Sequence, residues 1–220
     1  MVLERVDGRM SRVLSVFKGQ TVVCMASGPS LTVEQVEAVR IARLPTFVCN
    51  DSYRIAPFAE VCYFADGKWF LWNVEKPEWK AFAGQKCTIE PSAPQVKDAA
   101  VHVLKNLGHE GLSNDPAGIM TGSHSGYQLI NLATLTQPAR ILLLGYDCGR
   151  VNGRKHWFGE HPDGTEPPYD GIKKHYNRME QDAKRFGIEI LNATPGSAID
   201  AFRKVELAGI LNSEAAAVVS

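Results

Sequence analysis

The sequence has no surplus of charge in either direction. Lys and Arg together number 24, as do Asp and Glu, so the formal net charge at pH 7 is zero. Proteins that neutralise nucleic-acid phosphates carry a basic excess, so general nucleic-acid binding is not expected. No apolar run approaches the ~20 residues that span a bilayer, so no membrane span is expected either. The opening stretch, MVLERVDGRMSRVLSVFKG, is interrupted by charges and lacks the apolar segment of a signal peptide. A cytoplasmic location follows as an expectation. The five cysteines (Cys24, Cys49, Cys62, Cys87 and Cys148) include no C-x-x-C pair, so zinc-ribbon spacing is absent. Their odd number and their apolar settings point to buried, reduced thiols. Neither a P-loop nor a full G-x-G-x-x-G fingerprint is present.

What is present is a rhythm of apolar runs and amphipathic stretches across 220 residues. Residues 3–18 place Val6, Met10, Val13, Leu14 and Phe17 near helical spacing and predict a short helix. Strands are expected at 20–27, 45–50, 60–66, 85–90, 139–148 and 188–194, and in the AAVHVLK stretch. Helices are expected at 31–42, 68–83 with a break near Pro77, 121–136 and 169–187. Thr32 and Gln35 have capping-box spacing. Residues 149–170 read as a polar loop, and the Ala-rich tail from 203 as weakly ordered. Continuous apolar strands alternating with helices predict an α/β fold. It is Rossmann-like, with a mostly parallel sheet, helices on both faces and a single domain over 1–220. Residues 67–120 are a candidate elaboration on it.

In such sheets ligands bind beyond the C-terminal strand ends. The polar clusters expected there are Ser27-Gly28-Pro29-Ser30, Asn50-Asp51, Asp66-Gly67-Lys68 and Gly145-Tyr146-Asp147. Gly28 permits close backbone approach, and the N–H groups that open the next helix suit an anion. The alternative is a β–α corner with no ligand. A second turn, Thr121, Gly122, Ser123, Ser125 and Gly126, precedes another helix. It offers a second anion site, or caps that helix through Ser123 or Ser125. The loop KHWFGEHPDG holds two histidines, two acids and two aromatics within ten residues. His156 or His161 could act as general base or acid, and Glu160 could orient one of them. A metal held by His156, His161 and Asp163 is the weaker reading, because the spacing is H-x4-H and no cysteine lies nearby. No metal ligand is therefore assigned. Trp69, Phe70, Trp72 and Trp79 read as helix core in preference to a base-stacking platform. His175 and Tyr176 sit in a highly charged helix and read as surface.

Taken in order, GPSL, CND, TGSHSGYQLINLA, ILLLGYDC, the His-aromatic-Gly-His loop and IEILNATPGSAIDAF resemble a known pattern. They are similar to the small bacterial sialyltransferases that use CMP-sialic acid. They also resemble a related superfamily found in flagellin glycosylation, archaeal pterin pyrophosphokinases and uncharacterised prophage proteins. The prophage members share the HW-x-G-x-HP loop, and the resemblance covers about residues 20–202. It implies that Gly28, Pro29 and Ser30 form a nucleotide-phosphate turn and that Asn50 contacts a nucleotide-sugar. It implies that Thr121, Gly122 and Ser123 lie near the nucleotide and that His156 is the general base. Two departures stand out. Ile119-Met120 replace an arginine of the family, and its tyrosine pair has only Tyr146 and Tyr169 as loose candidates.

The expected activity is therefore transfer from a nucleotide-activated donor, most of all glycosyl transfer. His156 would deprotonate the acceptor, with His161 or Glu160 in support. Asp51, Asp66 and Asp147 would contact ribose, base or sugar hydroxyls. No cofactor is implied beyond the nucleotide-sugar donor. One alternative is a Mg²⁺-dependent diphosphokinase using those three aspartates. Another is a phage nucleotide-binding or assembly module without turnover. The expected partner is a small nucleotide-activated molecule; the acceptor and any homo-oligomer are left open.

Overall fold

The computed structural model describes residues 1–165 and 169–219. Of the expected polar loop, 166–168 lie outside them. In chain order the strands and helices begin with β1 (Leu3–Asp7), β2 (Met10–Val13), β3 (Thr21–Met25), α1 (Val33–Ile41) and β4 (Thr46–Cys49). They continue with β5 (Val61–Tyr63), α2 (Gly67–Asn73), α3 (Pro77–Ala81), β6 (Gln85–Ile89) and β7 (His102–Asn106). Then come β8 (Gly118–Ile119), α4 (Ser125–Thr134), β9 (Arg140–Leu144), α5 (Tyr169–Lys173) and α6 (His175–Arg185). The chain closes with β10 (Glu189–Asn192), β11 (Arg203–Lys204) and α7 (Leu207–Val219).

The strands form one sheet in the order β1-β2-β7-β6-β5-β4-β3-β9-β10-β11, with β8 beside β7. Every pairing is parallel except β1 with β2. Side chains alternate across it, as period-two strands must. Val22, Cys24, Ile141 and Leu143 enter the core beneath α4 and α6, while Val23, Met25, Leu142 and Leu144 enter the core beneath α1, α2 and α3. Both faces are thus buried, and each fully buried Val or Leu contributes roughly 1.5–3 kcal/mol. The architecture is α/β and Rossmann-like, a single domain with helices on both faces.

β3 is the pivot. From it the chain steps outward through β4, β5, β6 and β7, then returns to β9 on the other side. β3 leads into α1 on one face and β9 leads toward α6 on the other. Connections that diverge in this way open a crevice at the C-terminal strand ends.

Four expectations meet a different arrangement in the structure. Residues 3–18 are a β-hairpin, not a helix, turning at Gly8 with φ +53. The pattern of Val6, Met10 and Val13 suits either period, and Asp7-Gly8 is the hairpin signal that decides it. The segment 67–120 is not an appendage, since it supplies β6 and β7 to the sheet. The tail, expected as weakly ordered, carries a helix. It forms α7, whose Glu214 accepts hydrogen bonds from Thr21 and Arg140, each at 2.7 Å. His175 and Tyr176 are buried, not surface. They begin the α6 stripe that continues through Met179 and Ala183 at helical spacing.

The aromatic group is core, as read. Trp69, Phe70 and Trp79 are buried and pack edge-on or stacked with Tyr53 and Phe64. Trp72 stays half-buried, its ring 5.9 Å from that of His161. No disulfide links the five cysteines, and four of them are buried. No helix among the described residues is long and apolar enough to cross a membrane.

Candidate functional site

A cavity of about 120 Å³ opens where β3 and β9 diverge, and α4 starts against it. Ser27, Gly28 and Asn50 form one wall, Ser125 and Gly126 another, and Tyr146 and Asp147 the floor. Lys155 and His156 close it from the histidine loop. The sheet edge thus collects five of the six predicted groups. Asp66 is left out: it is exposed and caps α2 through the Lys68 N–H at 2.8 Å.

The Ser27–Ser30 turn is self-filled. The Gly28 N–H donates to the Gly145 carbonyl at 2.9 Å, and the Leu31 N–H to the Gly28 carbonyl at 3.2 Å. The Asp147 carboxylate accepts from the Ser30 N–H at 3.2 Å and from its hydroxyl at 2.9 Å. An internal carboxylate therefore occupies the position where an incoming phosphate was expected. Gly28 is required for this fit, because a Cβ there would lie 1.9 Å from Asp147 Oδ2 and 2.4 Å from the Gly145 carbonyl. Thr32 and Gln35 complete the capping box of α1. Burial raises the Asp147 pKa, against the lowering effect of the Ser30 hydrogen bonds. Residues 194–198 buttress the floor: Thr194 Oγ1 accepts from the Tyr146 N–H, and the Ser197 hydroxyl donates to the Tyr146 carbonyl.

The second turn divides. Thr121 and Gly122 donate to the Gly108 and His109 carbonyls, and Ser123 Oγ lies 2.6 Å from His109 Nε2. These three residues bind the neighbouring loop and do not line the cavity. His124, Ser125 and Gly126 do line it. His124 is the N-cap of α4 and makes no side-chain cap bond, so the first-turn N–H groups face the cavity with their partial positive charge. The His124 pKa is pushed down to about 3 by desolvation and then by His175. Its Nε2 lies 2.9 Å from the Tyr176 hydroxyl.

Other expected contacts turn out to be spent on structure. Asp51 is buried and accepts from the Trp69 indole at 2.7 Å, with Arg54 at 3.7 Å. The Tyr146 hydroxyl donates to the Gly126 carbonyl at 3.0 Å. Asp51, Asp66 and Asp147 form no cation-binding group among the described residues. Asp51 and Asp147 are thus engaged within the chain, Asp147 lines the cavity as well, and Asp66 stands apart from both.

The histidine loop is pinned by Trp157. Its N–H donates to the Ser27 carbonyl at 3.2 Å, and its indole to Ser52 Oγ at 3.2 Å. The Arg54 guanidinium lies 5.9 Å from that ring. This hold sets His156 over the cavity, its ring stacked on Phe158 at 5.0 Å and 4.7 Å from the His161 ring. Desolvation first, then His161, pushes the His156 pKa down to about 4; a Ser27 backbone bond, Asp51 and Glu160 oppose them. The ring is neutral at pH 7. The Glu160 carboxylate pairs with Lys155 Nζ at 2.6 Å, so it acts on His156 only through its charge.

Two buried polar atoms here have no hydrogen-bond partner: Asn50 Oδ1 and His156 Nε2. Each such atom costs ~1–3 kcal/mol, which a ligand could return. Asn50 and Cys148, both at the wall, hold φ at +51 and +48, a left-handed backbone that asparagine adopts readily and that is costly for Cys148.

The sequence reading missed Lys155, His124, Cys148 and Tyr176. Lys155 was visible as the residue before His156, and His124 as the histidine inside TGSHSG. Tyr176 was hidden by the charges around it. Tyr169, a loose candidate, lines the cavity.

No protein-family model matches the chain, and no curated protein matches it. Among solved structures it is similar to BdcA (YjgI) from E. coli, with 16% identity, a TM-score of 0.28 and 91% of each chain covered. It is also similar to a short-chain dehydrogenase from Oenococcus oeni PSU-1, with 10% identity, a TM-score of 0.22 and coverage of 90% of this chain and 89% of that one. Likeness at this level carries no argument about chemistry.

Proposed function

We propose that the crevice between β3 and β9 holds the reacting part of a nucleotide-activated donor, and that the chain transfers a group from it, as a glycosyltransferase does. The observation that carries this reading is the convergence of three features on one small cavity. They are the uncapped start of α4, the Lys155 ammonium, and the unpartnered Asn50 Oδ1 and His156 Nε2. The helix start and Lys155 suit developing phosphate charge. Asn50 Oδ1 suits a hydroxyl or amine donor on the transferred unit. His156 Nε2 suits an acceptor hydroxyl whose proton it takes.

The volume sets the register of binding. About 120 Å³ compares with ~300–1,000 Å³ for pockets that enclose drug-sized ligands. It fits a sugar or a phosphate, so the nucleoside would lie in the open mouth. A base pushed down to about pKa 4 is weak in the empty site. An anionic donor beside His156 raises its affinity for a proton, which brings the base nearer its working range. Location in a sialyltransferase-like superfamily rests on the sequence resemblance.

A thermal-shift panel tests the reading. CMP-, UDP- and GDP-sugars, ATP and Mg²⁺ are compared at fixed protein concentration. A ligand at 100 times its Kd stabilises by ~2.7 kcal/mol, which raises the Tm by roughly 5–10 °C in a chain of this size. A nucleotide-sugar is expected to give that shift. If none does, the proposal fails. With the stabilising donor in hand, His156→Ala should lower turnover ~10²–10⁴-fold while donor affinity stays within a few-fold. Preference for ATP with Mg²⁺ would favour diphosphoryl transfer.

A further inference from the structure

We propose a second site outside the cavity: His109, Glu110 and His175 bind one divalent transition-metal ion of the zinc class. One ligand atom from each lies within 4.8 Å of the others, and this is the one such group among the described residues. His175 Nδ1 and Glu110 Oε1 are 3.1 Å apart. Two ligands on one tetrahedral ion at 2.0–2.1 Å are separated by about 3.3 Å. The His109 and His175 rings meet edge to face with centroids 4.7 Å apart. A small rotation of the exposed His109 side chain closes the set.

The scaffold holds these residues in place. His109 and Glu110 lie between Gly108 and Gly111, whose φ values are +134 and +85. Gly111 is fixed at both ends of its peptide unit, its N–H donating to Tyr127 Oη at 2.7 Å and its carbonyl accepting from the same hydroxyl at 2.8 Å. The Leu112 N–H donates to Asp182 of α6 at 3.1 Å, which ties the loop to the helix that carries His175. Ser123 Oγ, 2.6 Å from His109 Nε2, orients that ring, as outer partners of metal-bound histidines do. Ordinary structural roles explain less. The Glu110–His175 and His109–Ser123 hydrogen bonds account for the residues singly, but not for one ligand atom from all three lying within 4.8 Å of the others.

The donor set selects the ion. Two imidazoles and one carboxylate suit Zn²⁺, Co²⁺ or Ni²⁺, whereas Mg²⁺ and Ca²⁺ take oxygen ligands. With three protein ligands, a fourth position stays open to water. The ion would brace the loop after β7 against the first turn of α6. Tyr176, the next residue, reaches His124 on the cavity wall. The site therefore sits one side chain away from the crevice, and it stands or falls independently of what the crevice binds.

The experiment uses the full chain without a histidine tag. Zn²⁺ is titrated calorimetrically, and Co²⁺ is followed by the visible d–d absorption of a tetrahedral site. One equivalent of Zn²⁺, with Co²⁺ absorption that Zn²⁺ displaces, is expected. His109→Ala and Glu110→Gln, both at exposed positions, should each weaken Zn²⁺ binding by more than the 10–100-fold typical of outer partners. His175→Ala tests the third ligand, but its burial makes the two exposed variants decisive. The double variant His156→Ala/His161→Ala should keep full affinity. The proposal is overturned by absence of stoichiometric Zn²⁺ binding, by binding that survives both exposed substitutions, or by binding lost in the His156/His161 variant. Mg²⁺ competing at equal concentration would overturn the assigned class of ion.

Discussion

Ser27–Ser30 and Thr121–Gly126 read alike as sequence, with small residues and hydroxyls placed ahead of a helix. In space they part. The first turn has its donors taken by Gly145 and Asp147, and its helix is capped by Thr32 and Gln35. The second leaves α4 without a side-chain cap, facing a cavity that also holds Lys155 and His156. The stronger-looking motif is thus the more structural one. A glycine at a strand end signals close approach, and what approaches Gly28 is the chain's own carboxylate.

Gly28→Ala should break the contrast hardest. Its Cβ meets Asp147 and the Gly145 carbonyl at distances no backbone tolerates, so a loss above about 3 kcal/mol is expected in urea unfolding. Asp147→Ala comes next. It frees the Ser30 N–H and hydroxyl, at a cost of about 2–3 kcal/mol. Asp147→Asn keeps an acceptor and sheds a charge that burial penalises, so it should cost under ~1 kcal/mol. Asp147 also floors the cavity, so shedding its charge should raise affinity for an anionic donor by only a few-fold if the first turn holds no phosphate. A gain of tenfold or more would return the phosphate to that turn.

The pH dependence follows, at a smaller magnitude. His156 has its pKa lowered from 6.5 to about 4 in the folded chain. Below pH 6.5 the unfolded chain binds a proton that folded His156 refuses, so stability falls from there to about pH 4 and this residue adds no further loss below. The loss is on the order of 2 kcal/mol once partial exposure is discounted. His156→Asn should flatten that part of the profile, and identical slopes in both proteins would refute the assignment. Gly126→Ala is the mildest change. A Cβ there meets Tyr146 and His124 at 3.2–3.3 Å, so stability should move by less than ~1 kcal/mol while donor affinity drops about tenfold. No change in affinity would remove the α4 start from the site.

Much of the fold was legible, because the inner strands are continuous apolar runs and parallel sheets demand them. The capping box of α1 and the break at Pro77 were local signals and read correctly. The hairpin at Asp7-Gly8 was missed because five apolar residues satisfied a helical period by chance. α7 was missed because what holds it, Glu214 against Arg140 and Thr21, comes from distant parts of the chain. In the site, the residue types were legible and their employment was not. Asp51 and Asp147 could be read as ligand contacts until their partners, Trp69 and Ser30, were placed beside them. Lys155 was passed over because a lysine in a polar loop is usually solvated, whereas this one is buried.

The two ends of the sheet have a consequence for how copies of the chain can meet. At one end β1 exposes Arg5, Val6 and Asp7, with the half-buried Glu4 held by Arg12 at 2.7 Å. At the other, β11 is only two residues long, and both Arg203 and Lys204 are exposed and engaged by Glu189 and Asp200. Charge placed along an edge makes a poor template for another strand. Pairing of two copies edge to edge through the sheet is disfavoured at both borders.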